Sequence, residues 1–251
     1  MSFSLILLGF LILFALYQLA EANGQNLLKF PGKPYTIFLL FLAVIPAAAL
    51  VARWQGATGL SAYGMGFEKG WWLLYLFGLV LGIAVRALFE FAGFRLGIRQ
   101  AKDLHFSWRA FLPGLLWILF ANFPAAASED LLTRGYPWRF MQASPLLGFI
   151  IASALIYTLN HLIRLLTRPL IDWYYLPFLG LTLAYALFQT GSLWLVIGLH
   201  QSVNVVSYLM QQMVDYTNTP DTKRRLLFGL LTEIVVWAVV ILAITVLPPS
   251  L

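Results

Sequence analysis

The chain contains no cysteine, and among its 251 residues only ten are acidic and three are histidine. Without thiols the protein can form no disulfide, no cysteine-bound metal or iron–sulfur site and no thiolate nucleophile. Any metal ion would have to be bound by histidine and carboxylate side chains. Because these residues are scarce, each acid or histidine inside an apolar segment becomes a candidate for function.

Charge of either sign is also rare. Only 10% of the residues are charged, 61% are hydrophobic and the mean hydropathy is +0.83, whereas soluble domains carry about 25% charged residues. This composition indicates an integral membrane protein. The net charge of +6 comes from basic residues in short segments between apolar stretches, where they act as topology signals. We therefore expect contact with membrane lipid and none with nucleic acid.

Eight apolar stretches have about the 20 residues that a helix needs to cross a bilayer. They predict an all-α, polytopic membrane bundle with about eight transmembrane helices. No repeat or linker divides the chain, so residues 1–251 are expected to form a single integral-membrane domain. The sixth stretch, which ends in Gln189 and Thr190, is the weakest of the set. The stretches cover roughly residues 3–20, 35–52, 71–92, 112–142, 145–165, 173–190, 193–213 and 226–247.

Lysine and arginine are distributed unevenly among the connecting loops. The loops that follow odd-numbered stretches hold eleven of them, and the other loops hold four. By the positive-inside rule the odd loops are cytoplasmic and both termini lie outside. The expected location is a prokaryotic plasma membrane. The eleven residues are Lys29, Lys33, Arg95, Arg99, Lys102, Arg109, Arg164, Arg168, Lys223, Arg224 and Arg225.

The fourth stretch contains the polar sequence SEDLLTRGY, residues 128–136. Asp130 and Arg134 are four residues apart, so on a helix they share a face and are expected to form an ion pair. Glu129 points about 100° away and is free to face a polar cavity. A carboxylate without an arginine partner is a candidate general base. The alternative is that all three residues form a structural ionic cluster.

Two further stretches place histidines on polar faces. Tyr157 and His161 are four residues apart, with Asn160 beside them, and His200 and Asn204 repeat the same spacing. Each pair therefore projects from one side of its helix. A single histidine is often a satisfied core residue, but two such faces combined with a free carboxylate indicate a hydrolytic site. Glu129 and His161 could activate water, while His200 and Asn204 could stabilise an oxyanion.

The same donors leave a metal site open as an alternative. Glu129, His161 and His200 would form a His2Glu set for zinc, which lowers the pKa of bound water to about 7. The spacing does not decide between the two forms, although the H-E-x-x-H motif is absent and we favour the metal-free form. Elsewhere, Arg86 and Glu90 are expected to pair with each other, and His105 is expected to be solvated.

Taken together, the motifs resemble the CPBP family of CAAX proteases and bacteriocin-processing enzymes, also called the Abi family, which includes the type II CAAX prenyl endopeptidases. The family pattern is E-E-x-x-x-R, then F-x-x-x-H, then H-x-x-x-N or D. The resemblance covers a core of about residues 112–213. In this chain the motifs are Glu129-Asp130-x-x-x-Arg134, Tyr157-x-x-x-His161 and His200-x-x-x-Asn204.

The resemblance implies an intramembrane endopeptidase, glutamate-dependent or metal-dependent, that acts on a membrane-associated peptide or protein. It implies that Glu129 activates water with help from His161, that His200 and Asn204 stabilise the tetrahedral intermediate, and that Arg134 holds its helix. No cofactor is favoured, and zinc is possible. Asp130 and Tyr157 depart from the family residues without removing a catalytic group. Two alternatives are a noncatalytic scaffold or regulator and, less favoured, a proton-coupled transporter, for which internal symmetry is missing.

Overall fold

The computed structural model describes residues 1–166, 173 and 175–246. Arg168 and residues 174 and 247, used in the sequence predictions, lie outside this set. The described residues are mostly helical because a chain in lipid must satisfy its backbone hydrogen bonds within each segment. The helices are α1 (Phe3–Gly24), α2 (Lys33–Trp54), α3 (Trp71–Arg95), α4 (Trp108–Asp130), α5 (Tyr136–Met141), α6 (Leu146–Asn160), α7 (Tyr175–Thr190), α8 (Leu193–Met213) and α9 (Thr222–Thr245).

Seven helical segments among the described residues are long and apolar enough to cross a membrane. The predicted membrane-embedded helical class is confirmed, whereas the predicted count of eight is not. The missing one is α7, which has 16 residues. At 1.5 Å per residue it is about 24 Å long, shorter than a hydrocarbon core of about 30 Å.

Although α7 is short, it returns the chain to the end of the bundle where α6 begins, because the segments before α6 and after α7 lie at the same end. Just before α6, Arg139 donates two hydrogen bonds to Gln55 at the end of α2. At the start of α8, the backbone N–H of Leu193 donates to the carbonyl of Gly64 at 2.7 Å, close to the same end of α2. Helices α6 and α7 therefore form an antiparallel hairpin between two points at one end.

A two-stranded antiparallel sheet, which the sequence analysis did not predict, lies at the other end. Strand β1 (Arg99–Leu104) connects α3 to α4, and β2 (Val214–Asn218) connects α8 to α9. Five of the six β1 residues are exposed and only Leu104 among them is a large apolar residue, so no alternating apolar pattern marks the strand. The pairing places both connections at the same end, as the predicted alternation of odd and even loops requires.

The sheet carries a histidine–aspartate pair. His105 is exposed, as predicted, but its Nε2 lies 2.9 Å from Asp215 Oδ2, a partner that was not anticipated. The hydrogen bond that His105 donates to Asp215 raises the pKa of His105 above its ordinary value. A raised folded-state pKa stabilises the fold at acidic pH, and this contribution is lost as pH rises through the folded-state value. In an NMR titration we expect Asp215→Asn to lower the His105 midpoint, and an unchanged midpoint would contradict the pairing.

The predicted pair of Arg86 and Glu90 is wrong. Arg86 instead donates two hydrogen bonds to Glu233 of α9, at 2.6 and 3.0 Å, while Glu90 forms an ion pair with Arg99 of β1. An exposed helix face would favour the local pair, but here Glu233 is buried and the Arg86 guanidinium reaches it in a bidentate arrangement. The pair fastens α3 to α9.

Removing one partner of this ion pair leaves a buried charge. We expect Arg86→Met to lower the free energy of unfolding by about 3–5 kcal/mol, since Glu233 is only 3% exposed. The double variant Arg86→Met with Glu233→Met should recover most of that loss because neither charge then remains. Unfolding in mixed micelles measures both. Equal losses in the single and double variants would contradict the assignment.

Helix α8 lies at the centre of the bundle and is the element that positions the site. It packs against α3 through glycines, since a Cβ at Gly78 or Gly198 would overlap backbone atoms of the facing helix. Small residues of this kind allow close helix approach in membranes. Of the residues of α8, the first ten, Leu193 to Ser202, are buried. The position of His200 is therefore set by the packing of a buried helix.

Candidate active site

Three segments of the bundle bring the predicted site residues together. Glu129 lies near the end of α4, His161 directly follows α6, and His200 lies in α8. His161 Nε2 is 3.4 Å from Glu129 Oε1, and His200 Nε2 is 3.7 Å from Glu129 Oε2. All three side chains are at least nine-tenths buried. The carboxylate thus lies between two imidazoles, as the sequence analysis expected.

The backbone after the two acids departs from a regular α-helix. Residues Leu131–Gly135 form a π-helix, a wider turn that often occurs at functional sites. Side chains satisfy the displaced carbonyls: Thr133 Oγ1 donates to the Glu129 carbonyl at 2.8 Å, and Ser153 Oγ donates to the Thr133 carbonyl at 2.9 Å. Pro124, one turn before the acids, also interrupts the hydrogen-bond ladder of α4.

Asp130 has two partners. Its Oδ1 accepts a hydrogen bond from Nη1 of Arg134, and both side chains are fully buried, so the predicted ion pair is present. Its Oδ2 lies 3.2 Å from Nδ1 of His200, a contact that was not predicted. Asp130 therefore neutralises the arginine and also orients an imidazole that faces Glu129.

The rest of the Arg134 guanidinium packs against an aromatic ring. In the described part of the chain, Nε and Nη2 of Arg134 have no hydrogen-bond acceptor. The guanidinium carbon lies 4.3 Å from the centre of the Tyr157 ring, a distance typical of a cation–π interaction. Tyr157 of α6 thus supports the π-helical turn that follows α4.

The hydrogen-bond partners fix the protons on both imidazoles. His161 Nδ1 lies 2.8 Å from the carbonyl oxygen of Tyr157, which only accepts, so Nδ1 carries a hydrogen. His200 Nδ1 likewise donates to the ion-paired carboxylate of Asp130. In the neutral rings both Nε2 atoms are then acceptors that point at Glu129, itself an acceptor. A water molecule placed among these three groups would donate to them.

Two asparagines without a predicted role, Asn122 and Asn160, also belong to the site. Asn204 donates to Asn122 Oδ1 of α4 at 3.1 Å, and Asn160 donates to Glu129 Oε1 at 3.3 Å. Asn122 precedes Glu129 by seven residues, which is two helical turns, so its position on the same face of α4 could have been inferred from spacing. Asn160 was noted beside His161, but its direction could not be inferred.

A cavity of about 530 Å³ connects the site to the end of the bundle that carries the sheet. One of its walls contains the ion pair between Glu21 of α1 and Arg164, joined by hydrogen bonds of 2.7 and 3.1 Å. The cavity extends from Glu129 to Pro34 and the exposed Tyr35 at the start of α2. The residues that line it include Tyr17, Phe38, Trp117, Phe120, Asn122, Ala126, Tyr157, His161, Tyr175, His200 and Asn204.

The zinc alternative depends on the positions of the histidine and carboxylate donors. Among the described residues, no group of three histidine, aspartate or glutamate side chains has the spacing of a metal site. The donor types in Glu129, His161 and His200 are those zinc accepts, but their arrangement does not define a site. No step proposed below depends on a metal ion.

Comparison with known families agrees with the motifs. The model of the family described as type II CAAX prenyl endopeptidase Rce1-like matches residues 110–206. The predicted family resemblance is confirmed. The matched segment is about two fifths of the chain and contains Glu129, His161, His200 and Asn204. Helices α1 and α2 lie outside it, yet they contribute Glu21 and Tyr35 to the cavity. No curated protein and no solved structure matches the chain.

Proposed function

We propose that this Rce1-like protein is an intramembrane endopeptidase that hydrolyses a peptide bond in a membrane-associated peptide or protein. The observation that carries the proposal is the position of Glu129. Its carboxylate is buried, lies on the wall of the cavity and sits between two imidazole nitrogens. A carboxylate in that position can take a proton from a water molecule that the imidazoles help to hold.

The first step is activation of water. A water in the cavity would donate one hydrogen to Glu129 and the other to the Nε2 acceptor of His161, whose tautomer the Tyr157 carbonyl fixes. Glu129 removes a proton as the water oxygen bonds to the carbonyl carbon of the substrate. The carbonyl π electrons move to oxygen and form a tetrahedral oxyanion. His161 is thus an acceptor that positions water.

The second step is stabilisation of that oxyanion. Asn204 offers the second hydrogen of its amide, since the first is given to Asn122. His200 can donate from Nε2 only when both ring nitrogens carry hydrogen, and the carboxylate of Asp130 beside Nδ1 orients the ring for that donation. Loss of one oxyanion donor in a protease typically costs about 10²–10³-fold in kcat. Asp130 therefore supports this step through His200.

The third step breaks the bond. The oxyanion electrons reform the carbonyl, the carbon–nitrogen bond breaks, and the leaving nitrogen takes the proton held by Glu129. The water oxygen remains in the new carboxyl group and Glu129 returns to its ionised form. The complete hydrolysis consumes one water molecule and no further reactant.

The substrate class is proposed from the family description, with CAAX-type and bacteriocin-type processing as candidates. The purified protein in detergent should be assayed with a fluorescence-quenched peptide whose farnesylated cysteine precedes a final tripeptide, and with the same peptide unprenylated. Bound metal should be measured on the same sample. Cleavage of either probe supports the proposal. A folded protein that cleaves neither, nor any member of a random peptide library, would support a noncatalytic membrane scaffold instead.

Asn122 provides a test of the oxyanion arrangement. Asn122→Ala removes the acceptor that holds the Asn204 amide in place, so we expect kcat to fall about 10-fold to 100-fold with little change in KM. Steady-state kinetics on the cleaved probe measure both constants. Asn218→Ala on the exposed end of β2 is the control and should leave them unchanged. A KM effect alone would assign Asn122 to substrate binding.

A further inference from the structure

Glu129 has a third polar neighbour besides the two histidines. Asn160, which is 2% exposed, donates from Nδ2 to Glu129 Oε1 at 3.3 Å. The same amide accepts at Oδ1 from Nε2 of Gln18, at 2.8 Å. Gln18 belongs to α1 and does not line the cavity that contains Glu129. A chain of two hydrogen bonds therefore runs from α1 to the carboxylate.

The backbone fixes the direction of this chain. Gln18 Nε2 also lies 3.0 Å from the carbonyl oxygen of Asn160, which can only accept, so this end of the Gln18 amide must be its NH2 group. The side-chain atom of Asn160 that faces it must then be the oxygen. It follows that the NH2 group of Asn160 points at Glu129. Without Gln18, only the attraction of the Glu129 carboxylate would hold the Asn160 amide in this orientation.

We propose that Gln18 is a positioning residue that acts through Asn160 to hold the Glu129 carboxylate for water activation. The inference rests on the function proposed above. Asn160 donates to Oε1, the carboxylate oxygen nearer His161, and so fixes the orientation of the carboxylate that takes the proton of the water. If the amide turned over, its oxygen would face Oε1 and repel the carboxylate. Glu129 would then leave the geometry that the reaction needs.

The test combines kinetics with a double-mutant cycle. Gln18→Met removes the donor at nearly constant side-chain length, and Asn160→Leu removes the whole amide. We expect each single variant to lower kcat about tenfold with KM within about twofold. Because Gln18 acts through Asn160, the double variant should be no worse than Asn160→Leu alone. Full activity of Gln18→Met, or independent and multiplicative losses, would overturn the inference.

A matched glutamine separates positioning from stability. Gln55 also ties α1 to the bundle through Nε2, donating to the Leu5 carbonyl at 2.9 Å and to the Tyr136 hydroxyl at 2.8 Å, at the opposite end of α1. Gln55→Met should lower the unfolding midpoint and leave kcat unchanged. If it lowers kcat as much as Gln18→Met does, the effect of Gln18 is merely structural and the inference is overturned.

Failure of the proposed function would look different. A wild-type protein that cleaves no probe overturns the endopeptidase and, with it, the catalytic role of Gln18. The hydrogen-bond chain is then judged by unfolding midpoints: Gln18→Met and Glu129→Gln should be non-additive if Asn160 links them, and additive midpoints would remove the chain as well. If the wild type is active and the Gln18→Met variant is equally active, only the inference about Gln18 is overturned.

Discussion

Glu129→Gln is expected to reduce kcat by about 10²–10⁴-fold, the range that a general base contributes. Glutamine keeps the size of the side chain and can still accept from Asn160 through its oxygen, so the fold should be retained. What it loses is the ability to take a proton from water. KM should change little, because the carboxylate touches the water rather than the body of the substrate in the proposed mechanism.

The measurement is cleavage of the quenched peptide at several substrate concentrations, with the unfolding midpoint recorded on the same preparation. Glu68→Gln is the matched control, since Glu68 is an exposed glutamate that lies near the start of α3 and does not line the Glu129 cavity. It should behave as wild type. Full activity in Glu129→Gln would place the base elsewhere and remove the mechanism proposed here.

Asp130→Asn is expected to damage both stability and activity. The side chain is fully buried between Arg134 and His200, so the substitution leaves the Arg134 charge without its counter-ion. Breaking a buried pair on one side costs about 3–5 kcal/mol. His200 loses its acceptor carboxylate in the same change, so its ring is no longer held toward the oxyanion by a charged partner. We expect kcat to fall by about 10³-fold or more.

A second substitution separates the two effects. In Asp130→Asn with Arg134→Met the unpaired charge is gone, so most of the lost free energy of unfolding should return. Activity should remain low because His200 still lacks its partner. Recovery of kcat together with stability would show that Asp130 acts only as the counter-ion of Arg134. Unfolding in mixed micelles and the peptide assay, run on both variants, give the answer.

The membrane-spanning helices were predictable because a bilayer allows few backbone structures. Long apolar runs in lipid must be helices, so the membrane bundle followed from composition, and the weakest run became the short helix α7. The sheet was not predictable, because β1 has no alternating pattern and pairs with a strand more than a hundred residues away. The predicted pair of Arg86 with Glu90 was wrong for a related reason. The long Arg86 side chain reaches Glu233 on a neighbouring helix, and sequence spacing contains no information about which helix is the neighbour.

The site was partly predictable for the same physical reason. Helical spacing of four residues placed Asp130 with Arg134, and the order of the motifs placed Glu129 near both histidines. Spacing could not show that Asp130 also binds His200, or that a π-helix follows it. These depend on contacts between helices. The roles of the individual residues in catalysis remain predictions.

The central claim is that the scissile bond lies in the cavity beside Glu129. The most direct test uses the Glu129→Gln variant with the uncleaved farnesylated peptide, carrying benzoylphenylalanine immediately after the scissile bond, followed by photo-crosslinking and peptide mapping. We predict crosslinks to cavity residues of α2, α4 and α8, such as Phe41, Ala125 and Val203. Crosslinks confined to the outer face of α3 and α9, with none in the cavity, would contradict the account.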